Sequence, residues 1–387
     1  MPTTFTFTAK PPFLFGTGAV SQTGAKAAEF GWKKVILITD SGITKAGLAA
    51  KVLESLTAAG VEAVVFDEVL PDPTDIIIEA AAAIARAENV GGIVAIGGGS
   101  VLDTGKAVNV LLANPSPISQ YLGFVPGVKL GPGAILIPTT SGTGSEVSDT
   151  AIITDTSRGI KVGVGGECSK AKLAIIDPEL TYKLPAKLTA ETALDAFAHG
   201  FEAFTGTARN AMSDIFAKET MRLVAENLLV ALEQPDNVSA RSNLALAATL
   251  GGIAFGDSLT HSGHNIGQNI ATLTHMPHGL SCTLGLLAII EFLADAVPGR
   301  LRWVGGLFGL NTNEEYTDAQ LGREVSQRFK AFAVNSGVAT TLKAAGVPHE
   351  VLAKAAPLIE NDPVLQLTAP KKLTAEIALE LMEKIYE

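Results

Sequence analysis

Two cysteines, Cys168 and Cys282, are all that the 387 residues contain. That scarcity argues against a disulfide-framed secreted scaffold and fits a reducing cytoplasm. Neither thiol lies in a C-x-x-C pair or beside an evident activating partner, so both read as core residues. Positive charge is scarce too. There are 29 Lys and Arg against 39 Asp and Glu, a net charge of −10, which disfavours attraction to nucleic acid or to an anionic membrane. Nor is there a long apolar run. A membrane span needs about 20 such residues, whereas the greasiest stretch, Leu280 to Ile290, is interrupted by Thr283 and followed by Glu291 and Asp295. The segment Met1 to Phe7 lacks the charged start and apolar centre of a signal peptide. Repeats of solenoid length are absent as well.

What is present is a chain 47% hydrophobic and 18% charged, the profile of a globular protein with a large core. Its length suits two domains, at roughly 100 to 200 residues each. The first half alternates strand and helix signals. Thr4 to Thr8 alternates at period two, as a half-buried strand would. Val35 to Thr39, Ala63 to Phe66, Gly92 to Ile96 and Ala134 to Ile137 are short strand-like runs, with helical segments such as Ile76 to Glu88 between them. That order predicts a parallel sheet covered on both faces. After Leu184-Pro185 the patterns become long and helical: Glu191 to Phe204, Ala211 to Leu232, Ala240 to Phe255 and Thr374 to Tyr386. The boundary is therefore expected near residue 183, with an α/β domain over 1–183 and an all-helical domain over 184–387.

Two loops have the composition to hold a dinucleotide. Gly97-Gly98-Gly99-Ser100 follows an apolar strand and leads through Asp103 and Lys106 into a helical pattern. Glycines let a backbone approach an anion, and helix-start N–H groups then bind it. The loop matches neither the G-x-G-x-x-G fingerprint nor the Walker A pattern. Pro138 to Glu146, rich in Thr, Ser and Gly, follows another strand. Two such loops at the carboxyl ends of separate strands mark the edge where open parallel sheets bind ligands. Asp40 ends an earlier strand. A carboxylate there accepts hydrogen bonds from a ribose and repels a 2′-phosphate, although a turn-initiating Asp before Ser41-Gly42 is the plainer reading.

A second constellation suggests a metal. Asp195 and His199 are four apart in a good helix sequence, one turn apart on one face. His264 and His278 would be about 21 Å apart on a continuous helix, but Gly267, Pro277 and Gly279 interrupt the segment and let the chain turn back. Four of the six histidines, His261, His264, His275 and His278, crowd into this apolar, Gly-broken stretch. One Asp with three His and no Cys is a hard-to-borderline set that suits Fe²⁺ or Zn²⁺ and leaves positions open for a substrate oxygen.

Along essentially its whole length the sequence resembles the iron-containing, or group III, alcohol dehydrogenases. The shared landmarks are Phe15 to Gly18, Pro71 to Thr74, Gly97 to Lys106, Pro138 to Glu146, Asp177 to Leu180, Thr192 to Glu202 and Pro277 to Gly279. The resemblance implies a Rossmann-like N-terminal domain, a helical C-terminal domain (the dehydroquinate synthase-like fold) and an active site in the cleft between them. It implies that Asp195, His199, His264 and His278 ligate the metal and that Gly98, Gly99 and Ser100 hold the pyrophosphate. Thr139, Thr140, Thr143, Ser148 and Lys161 then contact the inner half of the cofactor, Asp103 is counted with them, and Asp40 matches the position favouring NAD over NADP. One departure stands out: where many members carry a further His four residues after the third ligand, this chain has Gln268, which cannot titrate. A proton relay would then fall to His275, His261 or the cofactor ribose, with His275 better read as structural.

The expected activity is reversible hydride transfer between a primary alcohol, diol or hydroxy acid and NAD, with NADP left open, assisted by Fe²⁺ or Zn²⁺ acting on the alcohol oxygen at His264 and His278. A zinc-type polyol dehydrogenase of the same fold, a non-redox metal-dependent lyase or hydrolase, and a nucleotide-binding regulatory protein with a structural metal are the alternatives. The expected partners are a small alcohol or aldehyde and further copies of the chain, a homodimer or larger, with no nucleic acid and no membrane. Phe255 and the segment from Ile253 to His264 are expected in the substrate pocket wall.

Overall fold

The computed structural model describes residues 4–8 and 10–387. By its internal contacts the chain divides into two compact units, Ala9–Thr140 with Gly144–Lys183, and Met1–Thr8 with Ser141–Thr143 and Leu184–Glu387.

The first unit is built on a six-stranded sheet. Its strands are β1 (Phe13–Phe15), β2 (Lys34–Ile38), β3 (Glu62–Phe66), β4 (Gly92–Gly97), β5 (Ala134–Pro138) and β8 (Leu173–Ile176), in the order β1-β8-β5-β4-β2-β3 and parallel throughout. Val35 to Ile38, Ile93 to Ile96 and Ala134 to Ile137 are buried on both faces, which is why these strands read as unbroken apolar runs rather than as alternation. Helices α1 (Thr23–Glu29), α2 (Ser41–Lys45), α3 (Leu48–Ala58), α4 (Asp75–Ala87) and α5 (Gly99–Ala113) connect them. β6 (Thr150–Asp155) and β7 (Ile160–Gly165) form a separate antiparallel hairpin. Landmarks far apart in sequence meet here: Asp177 accepts the N–H groups of Gly18 at 3.1 Å and Val20 at 3.0 Å, and Thr154 donates its N–H to the Pro73 carbonyl at 2.8 Å.

The second unit is helical: α6 (Ala186–Thr205), α7 (Ala211–Glu233), α8 (Val238–Ser258), α9 (Ser262–Thr274), α10 (His278–Ile289), α11 (Pro298–Leu307), α12 (Asp318–Asn335), α13 (Glu350–Glu360) and α14 (Ala375–Lys384). Capping boxes, Asn210 with Ser213 and Thr317 with Gln320, start α7 and α12 by satisfying first-turn N–H groups. α6 is buried along almost all of its length, with Phe197 and Phe201 wholly enclosed, so its polar residues are interior groups that need partners.

The α/β fold with a helical second half is as the sequence implies. Thr4 to Thr8, however, form no strand in this chain. Phe7 instead stacks on Phe216, with ring centroids 6.0 Å apart, and the edge strand is Phe13–Phe15. No described helix is long and apolar enough to cross a membrane.

Candidate metal centre and cofactor loops

α6 presents Asp195 and His199 one turn apart, both buried, with His199 Nε2 at 3.9 Å from Asp195 Oδ1. α9 ends where His275 takes a left-handed backbone (φ 56°), and α10 starts three residues later, at His278. The helix pair folds back on itself, so His264 and His278 come together, their ring centroids 5.7 Å apart. The break lies at His275 to Pro277. Gly267 does not interrupt the helix. It lies inside α9, where a Cβ would stand 2.6 Å from the Ser281 carbonyl oxygen, and Gly285 likewise approaches the Gly263 carbonyl to within 2.0 Å of such a Cβ. These two glycines let α9 and α10 pack close enough for their histidines to converge.

His264 Nε2 and His278 Nε2 each stand 3.7 Å from Asp195 Oδ1. These separations are too long for hydrogen bonds. They approach the ~3.4 Å between two ligand atoms each about 2.1 Å from a shared tetrahedral ion. Asp195 Oδ1 and His264 Nε2 are buried with no hydrogen-bond partner among the described residues. A buried orphan costs about 1–3 kcal/mol, and a cation between these atoms removes both costs at once. The residues therefore fit a divalent ion.

Two residues near this point have no place in the ligand pattern read from sequence. Glu202, fully buried, accepts the N–H of Gly263 at 2.5 Å and of His264 at 3.2 Å, and the His264 Nδ1–H in a short contact. Burial opposes its ionisation, but the neighbouring His264 and His261, with these hydrogen bonds, bring its pKa down to about 2. A carboxylate on Nδ1 fixes the tautomer that turns the Nε2 lone pair inward. Its signal was a Glu set among Phe201, Ala203 and Phe204. The second is Cys282, one turn beyond His278 on α10, with Sγ 3.5 Å from His278 Nε2. It is a core residue, as expected, but it does have a reactive neighbour. The ligand atoms of Asp195, His264, His278 and Cys282 all lie within 4.8 Å of one another, so the donor set is not free of sulfur. The i, i+4 spacing from His278 was the available signal.

Burial lowers the His199 pKa to about 4, so its imidazole is neutral at ordinary pH. The Phe255 ring lies 4.5 Å from it. Gln268 is half-buried on α9, and His275 is exposed at its left-handed end. His261 is wholly buried. Its Nδ1 accepts the Ser262 N–H at 2.7 Å, leaving Nε2–H to donate to Thr205 Oγ1 at 2.9 Å.

The loops of the α/β unit lie at strand ends. Gly98 caps α5 directly after β4, and Gly99 and Ser100 open that helix, half-buried. Thr139 and Thr140 follow β5, with the Thr139 N–H donated to the Gly97 carbonyl at 3.0 Å, so the two loops are neighbours. Thr143 belongs instead with the helical unit. Asp103, Ser148 and Lys161 are engaged within the protein. Asp103 accepts from Ser145 Oγ at 2.5 Å and the Ile152 N–H at 2.9 Å, Ser148 Oγ accepts from the buried Lys106 Nζ at 2.9 Å, and Lys161 pairs with Asp72 at 2.6 Å. Asp40 caps α2, accepting the N–H groups of Gly42 and Ile43. That is the plainer of its two readings, and it leaves the carboxylate partly exposed.

Comparison with known proteins places this arrangement. Residues 11–178 match the iron-containing alcohol dehydrogenase family and residues 189–386 the C-terminal domain of that family. The chain is 32% identical over 351 residues to choline dehydrogenase of Bacillus subtilis, covering 90% of this chain and 87% of that protein. It is also 32% identical over 332 residues to the NAD-dependent methanol dehydrogenase of Bacillus methanolicus, covering 85% and 87%. The crystal structure of a 1,3-propanediol oxidoreductase superposes with a TM-score of 0.94 at 28% identity, over 99% of this chain and 100% of that one. The chain belongs to the iron-containing alcohol dehydrogenase family. It is a metal-dependent, NAD-linked alcohol oxidoreductase.

Proposed function

We propose that this enzyme interconverts small primary alcohols and their aldehydes, with one divalent metal ion held by Asp195, His199, His264 and His278. Residues 1–183 supply the dinucleotide-binding surface and residues 184–387 the metal centre. The observation that carries the reading is the convergence of three imidazoles, two buried and the third, His278, exposed at the open side, on one buried, orphaned carboxylate oxygen. When bound, the ion supplies Lewis acidity toward an alcohol oxygen, and NAD accepts two electrons with the carbon-bound hydrogen.

The chain's own residues set the conditions. Asp195 offsets part of the ion's charge, and Glu202 holds His264 in its ligating tautomer. Phe255 covers the His199 ring and screens it from water. Gln268 is suited to orient a substrate hydroxyl by hydrogen bonding without exchanging a proton. His275 is exposed at the left-handed end of α9 and is kept as a structural residue there, with a His275→Ala pH–rate profile as the test of any part in proton relay. Gly98, Gly99 and Ser100 offer first-turn N–H groups of α5 to the pyrophosphate, with Thr139, Thr140, Asp103, Ser148 and Lys161 shaping the rest of the cofactor surface of the α/β unit. Asp40 favours NAD, because its carboxylate repels a 2′-phosphate. Iron is the metal the family's name carries, and zinc fits the same donors.

The substrate class rests on the relatives, which act on choline, methanol and 1,3-propanediol by name. Two free thiols support a reducing, cytoplasmic setting. Self-association is expected to involve Thr4 to Thr8, whose alternating pattern forms no ladder within the chain, and gel filtration of a version lacking residues 1–9 tests it. For the site itself the test is His264→Ala. It should lose both bound metal and alcohol-dependent NADH formation, and full retention of both would refute the assignment.

A further inference from the structure

We propose that Cys282 is a fifth ligand of the metal centre, giving the bound ion a thiolate beside Asp195, His199, His264 and His278. The inference rests on the metal-site reading above. Cys282 is fully buried and sits one helical turn after His278, so both side chains leave α10 on one face. Around a five-coordinate ion with metal–sulfur and metal–nitrogen distances of about 2.3 and 2.1 Å, adjacent sulfur and nitrogen atoms lie about 3.1–3.8 Å apart. Sγ and His278 Nε2 are 3.5 Å apart. The same ion separates an adjacent oxygen and nitrogen by about 3.0–3.6 Å, close to the 3.7 Å from Asp195 Oδ1 to both His264 and His278.

A thiol hydrogen bond to His278 accounts for the first distance alone. The thiol also faces Asp195 and His264, but its one S–H can serve a single acceptor, and Asp195 Oδ1 and His264 Nε2 are buried without a hydrogen bond within normal distance among the described residues. One ion touching these atoms gives each of them a partner at once. As the sulfur–metal bond forms, the thiol gives its proton to water and no electrons change hands. Sulfur is the soft member of an otherwise hard-to-borderline set, so its presence shifts preference toward Zn²⁺ and Co²⁺ and away from Mn²⁺.

The test is the absorption spectrum of the full-length protein loaded with Co²⁺, with bound cobalt counted per chain. A near-ultraviolet thiolate-to-cobalt charge-transfer band is expected, lost in Cys282→Ser and kept in Cys168→Ser. Zn²⁺ affinity should fall by more than about tenfold in Cys282→Ser, with Mn²⁺ affinity changing by less than about threefold. Cobalt bound without the band, or a band that survives Cys282→Ser, overturns the thiolate ligand while leaving the metal site standing. Failure to bind cobalt at all overturns both.

Discussion

Replacing Glu202 by Gln exchanges one carboxylate oxygen for an amide nitrogen at nearly constant volume. The consequence follows from donor counting. The carboxylate accepts from three donors, the Gly263 N–H at 2.5 Å, the His264 N–H at 3.2 Å and His264 Nδ1–H, with His261 Nδ1 no nearer than 3.4 Å and already occupied by the Ser262 N–H. An amide turned one way sets its NH₂ against His264 Nδ1–H; turned the other way, it sets it against the backbone N–H groups. Either the imidazole moves its proton to Nε2, the nitrogen that should face the ion, or a buried donor goes unmatched. A lost hydrogen bond to a charged group costs about 1.5–3 kcal/mol, and loss of such a supporting carboxylate typically weakens metal binding by about 10–100-fold. Titration of Zn²⁺-loaded protein with a competing chelator reads this directly, and circular dichroism checks that the helices persist. A Glu202→Gln midpoint within about twofold of the unmodified protein, with the fold intact, would refute the claim that Glu202 sets the His264 tautomer.

Other expectations are as direct. Gly285→Ala places a methyl 2.0 Å from the Gly263 carbonyl oxygen; forcing α9 from α10 should destabilise by about 1–3 kcal/mol or more in thermal melts and lower metal content. Asp155 is held down to about 2 by hydrogen bonds from Ser157 and Arg158. A depressed carboxylate stabilises above its unfolded value of 3.8 and loses that contribution as pH falls toward 2, so Asp155→Asn should flatten the acid limb of a stability–pH curve. Asp40→Ala should raise the kcat/KM for NADP relative to NAD, and should remove a helix cap worth about 1 kcal/mol, visible as a lower Tm.

Much of this was legible in the residues because the patterns were long or doubly determined. Val35 to Ile38 and Ile93 to Ile96 announce buried parallel strands, since neither face admits polar side chains. Asp195 and His199 share a face through helix geometry alone. Thr4 to Thr8 misled because alternation shows which faces differ but supplies no neighbouring strand. Strands β1 and β8 are three and four residues long, too short for periodicity to register. Gly267 looked like a helix breaker, yet its missing side chain serves helix contact, which only the packed partner reveals. Glu202 and Cys282 depend on side chains meeting across 62 residues and across one turn, and the longer of those two relations has no local signature.

The central claim is tested most directly by the anomalous scattering of a crystal of the Zn²⁺-loaded protein, measured at the metal's absorption edge. The account predicts one peak per chain, within about 2.3 Å of Asp195 Oδ1, His264 Nε2 and His278 Nε2. A crystal whose only peak lies away from these three atoms, or which shows none at full metal loading, would contradict it.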